Sequence, residues 1–418
     1  MSKYKSNFTA LVSNSCLMSL IAVGCFNASA KSAPARVSLT TEPALSKVVP
    51  YEAEATTSQQ AVKLTLQAID PTGKPLTNVR MQVKLLTPAS NPWFTTDFPI
   101  VEGTELLNLQ ADVPTGKLEL QQMLPIRGNY QLQVTTTLIG ATSGATSQQT
   151  IPLVVPENSI KYQNFAILAL ILAAAGVGGG WIIGARQATK DGEIAPQPVR
   201  LLLSGASLIA IVALLYVNLS AEMAQSGMSE PMSHPMGGKT MQGMNHSGMS
   251  QMGMEKDDGK KPASTPANSV VSQGIKLAIT GDKNATVGKP ANFQVQATDA
   301  NTNQPVAGTV RIKTINTENE DKWTFFGYQG VTDSNGRLAW QSGLFDGSGH
   351  QVDVEFTPTI AGLNTTPIKV SQPVEVEGVA PPLFVRLISL GYMTGIVATA
   401  FLLGFWLHRR RDARLAAI

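Results

Sequence analysis

Apolar and polar residues alternate with a period of two in several short runs along this chain. Val62, Leu64, Leu66 and Ala68 are separated by polar positions, as are Val79, Met81, Val83 and Leu85. The pattern returns far downstream at Phe293, Val295 and Ala297, at Val310 and Ile312, and at Val352, Val354 and Phe356. A period of two puts every second side chain on one face, so each run predicts a strand with one buried side. Turn signals such as Pro71-Thr72-Gly73 and Ser334-Asn335-Gly336 lie between them. The expectation is two antiparallel sandwiches, over residues 36–156 and 272–376.

Three longer stretches carry no such alternation and are apolar throughout: residues 165–185, 201–219 and 383–407. Each is long enough to span a bilayer as a helix. Arg186, Lys190 and Arg200 lie in or border the loop 186–200, and Arg409, Arg410, Arg411 and Arg414 lie in the tail 408–418. Three spans put that loop and that tail on one side, and the bias of basic residues makes it cytoplasmic. None of the spans holds an ionisable residue near its centre, so they read as anchors rather than as a transport path. Arg386 sits near the outer end of the third, where it can snorkel to the interface. Gly176, Gly180 and Gly184 recur at four-residue spacing in the first span, and Gly391 and Gly395 in the third, a spacing that lets helices pack closely. The expectation for the whole is a membrane protein with two all-β sandwich domains and three transmembrane helices.

Residues 1–30 have the build of a secretory signal: Lys3 and Lys5, an apolar core from Leu17 to Val23, and Ala28-Ser29-Ala30 as a cleavage site. A retained N-terminal anchor and, given Gly24-Cys25, a lipoprotein signal are the alternatives. Both cysteines, Cys16 and Cys25, fall inside this segment, so cleavage would leave a mature chain without disulfides or thiolate ligands. The expected location is the bacterial inner membrane, with both sandwiches on the periplasmic side.

The two β-regions also match each other. LQAIDPTGKPLTNVRMQV at 66–83 parallels VQATDANTNQPVAGTVRI at 295–312, and the block from Gly116 aligns without gaps to the block from Gly336. This is duplication of one module. The stretches TVGKP at 286–290, QPVAG at 304–308 and TDSNGRL at 332–338 resemble bacterial immunoglobulin-like modules, a resemblance that implies a sandwich fold but no particular function. His350 stands where the first copy has Tyr130, so it reads as a half-buried strand residue in an aromatic position, with a role beside the loop described next as the lesser alternative.

That loop, residues 220–271, carries the sharpest chemistry. Between Met223 and Met254 lie nine of the 14 methionines and two of the 4 histidines, separated by Gly, Ser, Gln and Pro. Eight Gly or Pro residues between 227 and 253 exclude a stable helix. Met232, His234 and Met236 form one cluster, and Met241, Met244, His246, Met249, Met252 and Met254 a denser one. Thioether and imidazole suit Cu(I) or Ag(I), whereas zinc is disfavoured without cysteine. Reversible scavenging of oxidants and a plain low-complexity tether are the competing readings. MQGMNHSGMSQMGM also resembles the Met-rich repeats of bacterial copper-resistance proteins, including periplasmic multicopper oxidases and outer-membrane copper-binding proteins. That resemblance implies copper or silver binding at Met232, His234, Met236, Met241, Met244, His246 and Met249, and no oxidase activity.

A net charge of +3 with no aromatic-basic patch argues against nucleic acid, and no catalytic constellation stands out, so no enzyme is expected. The functional expectation is a membrane-anchored Cu(I)/Ag(I)-binding protein that sequesters the metal or hands it to a cuproenzyme or copper-transport partner. The alternative is an envelope interaction protein that uses its Ig-like domains for contacts and the loop as a spacer.

Overall fold

The computed structural model describes residues 35–52, 59, 61–91, 93–140, 146–185, 196–206, 268–318, 323–359 and 366–415. The alternating runs are strands with their apolar positions inside. In the first copy these are β1 (Arg36–Glu42), β2 (Val62–Ile69), β3 (Val79–Leu86), β4 (Glu105–Val113), β5 (Lys117–Gln122), β6 (Gly128–Leu138) and β7 (Thr146–Val155). The second copy supplies β8 (Asn268–Ser272), β9 (Ile275–Gly281), β10 (Asn284–Thr286), β11 (Pro290–Asp299), β12 (Gly308–Asn316), β13 (Thr324–Val331), β14 (Arg337–Gly343), β15 (Gly349–Pro358) and β16 (Ile368–Glu377). Leu64, Leu66, Val83, Val295, Val310 and Val354 are wholly buried between the sheets. Each such side chain contributes about 1.5–3 kcal/mol relative to exposure, which is what holds the register.

Turn chemistry repeats between the copies. Asp70 Oδ1 accepts from the Thr72 amide at 2.8 Å and the Lys74 amide at 2.9 Å, and its counterpart Asp299 accepts from the amides of Asn301 and Thr302. The Thr72 hydroxyl, which donates to Asp70 Oδ1 at 2.7 Å, and the amide bonds hold the Asp70 carboxyl below the usual range, and the Thr302 and Asn301 amides do the same for Asp299. Gly116 and Gly336, aligned in the sequence, share a left-handed φ of 69° and 65°.

The copies do not form separate sandwiches side by side. They join edge to edge into two eight-stranded sheets, β1-β2-β5-β13-β12-β15-β16-β10 and β7-β6-β3-β4-β14-β11-β9-β8. The seam is antiparallel in both. Gln122, Gln121 and Leu120 of β5 face Phe326, Gly327 and Tyr328 of β13, while Ser342, Gln341 and Trp340 of β14 face Leu107, Asn108 and Leu109 of β4. Since β5 is the counterpart of β14 in the duplication, the two pairings are the same contact seen from opposite sides. The seam is an isologous contact about an internal pseudo-two-fold axis.

Two helices leave the same end of this β-body, one after β7 and one after β16. α1 (Ser159–Gly184) starts where the Asn158 side chain accepts the Ile160 amide at 3.0 Å, six residues before the apolar stretch itself. A second helical segment, α2, follows Pro196 over residues 197–206, and the remainder of the expected span 201–219 lies outside the described residues. The third helix, α3 (Leu383–Leu415), carries the helix through the arginine-rich tail to residue 415. Both α1 and α3 are long and apolar enough to cross a membrane. They pack in parallel: Gly176 lies against Val397 and Ala400, Gly180 against Phe401 and Phe405, and Gly184 against His408. Arg409, Arg410 and Arg411 stack over Phe405, Trp406 and Trp181 at 4.7, 5.0 and 5.8 Å.

Candidate functional site

The sequence-derived ligands Met232, His234, Met236, Met241, Met244, His246, Met249, Met252 and Met254 lie outside the described residues, so the structure brings none of them together. It does place the segment's two borders. On the N-terminal side, Leu202 of α2 packs over Gly179 of α1. On the C-terminal side the chain enters β8 at Asn268, the outermost strand of its sheet, whose side chain donates to Ser371 O at 3.1 Å. Asn268 pairs with Ile279, near the end of the sheet from which the helices leave. Among the described residues, no group of three or more His, Cys, Asp and Glu is arranged to hold a metal ion.

A buried polar arrangement lies inside the β-body at that same end. Asp346, in the connection from β14 to β15, has one carboxylate oxygen that accepts three hydrogen bonds. They come from Tyr51 Oη at 2.9 Å, Asn316 Nδ2 at 3.0 Å and Ser348 Oγ at 3.0 Å. Tyr51 belongs to the first copy and the other three residues to the second. Its ring is packed among Phe98, Trp323, Phe325 and Phe345, with centroids 5.2–5.8 Å away. Burial pushes the Tyr51 hydroxyl well above its ordinary pKa, and the adjacent Asp346 charge adds to the effect. Tyr51 therefore acts as a donor, and the cluster fastens the two copies together through three hydrogen bonds to one carboxylate oxygen.

His350 lines the same cluster and is fully buried at 1% exposure, not half-buried. Its Nδ1 is 2.9 Å from Ser348 O, which can only accept, so the proton resides on Nδ1. Nε2 keeps its lone pair and has no hydrogen-bond partner among the described residues, and the ring meets Phe325 edge-on at 4.8 Å. In the first copy Tyr130 solves the same position differently: its hydroxyl donates to Ile126 O at 2.7 Å and accepts the Ile126 amide at 2.9 Å.

Burial lowers the His350 pKa, against the opposing pull of Ser348 O, Asp346 and Glu318. The unfolded imidazole gains a proton near pH 6.5, and the folded one only at lower pH. Its contribution to stability is complete above about pH 6.5 and is lost as pH falls through the window beneath, by up to about 1.4 kcal/mol per pH unit. Denaturant titrations of the wild type and of His350→Phe at successive pH values check this. The variant shows a shallower loss of stability between about pH 6.5 and 5.

Sequence reasoning identified His350 but not Tyr51, Asp346 or Trp323. Tyr51 lies in an irregular stretch without alternation, and nothing local marks its partner 295 residues away.

No family model and no curated protein matches the chain. Among solved structures it is similar to FetP from a uropathogenic Escherichia coli strain, with 13% identity over 28% of this chain and 97% of that one and a TM-score of 0.20. It is also similar to trypsin-activated alpha-2-macroglobulin from Escherichia coli, with 10% identity over 84% of this chain, 17% of that chain and a TM-score of 0.21. Invasin, a bacterial integrin-binding protein, shows 7% identity over 82% of this chain and 39% of its own, with a TM-score of 0.18. Overlap at this level assigns the chain to none of them.

Proposed function

We propose that the protein is a membrane-anchored, extracytoplasmic Cu(I)/Ag(I)-binding protein of the bacterial envelope, which sequesters the metal or passes it to a cuproenzyme or copper transporter. The observation that carries this reading is the run of seven methionines and two histidines from Met232 to Met254, soft ligands at short spacing. The fold supports the setting. Because α1 and α3 are parallel and begin at the same end of the β-body, the chain between them must return across the membrane before it enters β8. With α1 and α3 as spans, a single returning crossing would put the Met-rich segment on the side of the β-body, tethered at both ends. Exchange between several thioether sites would let ions be captured and released quickly without a preformed cage.

Titration of the full chain in detergent with Cu(I), against a competing chelator, tests this. The wild type is expected to withdraw several equivalents. Replacement of the seven methionines by Leu and the two histidines by Gln is expected to weaken retention roughly 100-fold, about 2.7 kcal/mol. Equal retention by both proteins overturns the metal reading and leaves an envelope interaction protein with a spacer loop.

A further inference from the structure

The connection from β3 to β4 runs along the helix-bearing end of the β-body and presents two large aromatic rings to the outside. Trp93 is 59% exposed and Phe94 70%. Exposed rings on a loop invite the expectation of a floppy tip, but this loop is built to hold them. Glu102 accepts from the Thr96 amide at 2.7 Å and the Thr96 hydroxyl at 2.8 Å with one oxygen, and from the Asn91 amide at 3.3 Å with the other. Asn91 in turn accepts the Trp93 amide at 3.1 Å through its side chain and the Phe94 amide at 3.1 Å through its carbonyl.

The same loop is fastened to both helices. Tyr392 of α3 donates its hydroxyl to Trp93 O at 2.9 Å, Asp97 pairs with Lys161 of α1, and Arg127 donates to Thr95 O at 3.4 Å. Behind the exposed pair, Phe98 inserts its ring against Tyr51 and Phe345 of the buried cluster. The backbone that carries Trp93 and Phe94 is thus fixed beside two helices.

Helical rise sets their depth. Tyr392 is six residues past Arg386, about 9 Å further along the axis, and Arg409 is 17 residues beyond it, about 26 Å. That second distance is close to the roughly 30 Å thickness of a hydrocarbon core, so Tyr392 marks its outer boundary when the arginines mark the inner one. Side chains on a helix lean toward its N-terminus, so the Tyr392 hydroxyl reaches outward toward the level of Arg386. Trp93 is held at that level, the zone between headgroups and acyl chains where Trp and Tyr rings accumulate.

We propose that the loop carrying Trp93 and Phe94 is a bilayer-inserting wedge, with both rings seated in the headgroup–acyl boundary of the outer leaflet beside α3. It fastens the β-body to the membrane surface beside the helix pair and so limits how the body can tilt about the helices. The inference rests on reading α1 and α3 as membrane spans.

The test uses the full chain with Cys16 and Cys25 replaced by Ser, reconstituted into phosphatidylcholine vesicles. An environment-sensitive fluorophore is attached at Phe94→Cys or Trp93→Cys, and at Thr72→Cys as a control on the turn at the far end of the sheet. Flotation with the vesicles reports anchoring, and quenching by lipids with a nitroxide high on the acyl chain reports insertion. The wedge predicts blue-shifted emission and quenching on the order of two-fold at positions 93 and 94, with none at 72. Vesicle-bound protein whose labels at 93 and 94 behave like the label at 72 overturns the wedge and leaves the spans standing. Labels shielded from both lipid nitroxide and aqueous iodide also overturn it, in favour of a protein covering the loop. Protein that does not float overturns the span reading, and the wedge with it.

Discussion

Replacing Gly116 with alanine is expected to destabilise the β-body by about 3–5 kcal/mol. Two independent costs meet at this residue. Its φ of 69° lies in the left-handed region, where an L side chain is strained, and a Cβ would stand 1.7 Å from Leu76 O, a backbone atom. Leu76 cannot retreat without cost, because its amide donates to Ala68 O at 2.9 Å while the Ala68 amide donates to Gly116 O, also at 2.9 Å. Gly73→Ala is the matching control: its φ of 88° is equally left-handed, but nothing lies within 4 Å of the added carbon. It should cost about 1 kcal/mol. Denaturant midpoints of the two variants at unchanged slope measure the difference, and equal losses would show that the close approach to Leu76 O is not real.

Gly180→Val is expected to separate α1 from α3. A Cβ on Gly180 would lie 2.0 Å from Phe401 O and 2.8 Å from Phe405 N, and one on Gly404 would lie 2.2 Å from Val177 O. The two backbones therefore touch at reciprocal glycines, and within lipid such close approach is the main source of helix association. Valine forces the axes apart along the whole contact. A disulfide between Trp181→Cys and His408→Cys, whose native rings are 4.9 Å apart, should form roughly ten-fold more slowly in the Gly180→Val background, equivalent to about 1.4 kcal/mol. Gly178→Val meets nothing within 4 Å and should leave the rate unchanged.

Much of this fold was legible because burial leaves a trace in side-chain identity. The runs at Val62–Ala68 and Val352–Phe356 alternate because one face is dry, and the structure buries those residues. The duplication was legible for the same reason, and it correctly paired Gly116 with Gly336. The seam between the copies was not. Edge strands join through main-chain groups that every residue carries, so β5 and β13 show no signature of being partners rather than edges. Tyr51 and Asp346 were hidden by sequence distance, and Trp93 by an irregular loop in which exposure and burial leave no period. His350 was flagged by alignment with Tyr130, but its depth follows from packing, with Phe325 edge-on to its ring, that no local pattern announces. The Met-rich segment is the reverse case, conspicuous in composition and outside the described residues.

The pseudo-two-fold seam has a bearing on how such a chain can arise. Each half ends in a helix, and the symmetry makes the two helices parallel, meeting at Gly180 and Gly404. A chain of half this length, one sandwich with one trailing helix, already holds both surfaces needed to pair with its own copy. With the helices as spans, as proposed above, fusing two such genes head to tail raises a problem of parity, because the first helix ends on the wrong side to begin the second sandwich. On that proposal, one further crossing between α1 and β8 is the simplest solution. On this view the region from α2 to β8 is a splice, and the Met-rich segment is cargo that the splice had room to acquire.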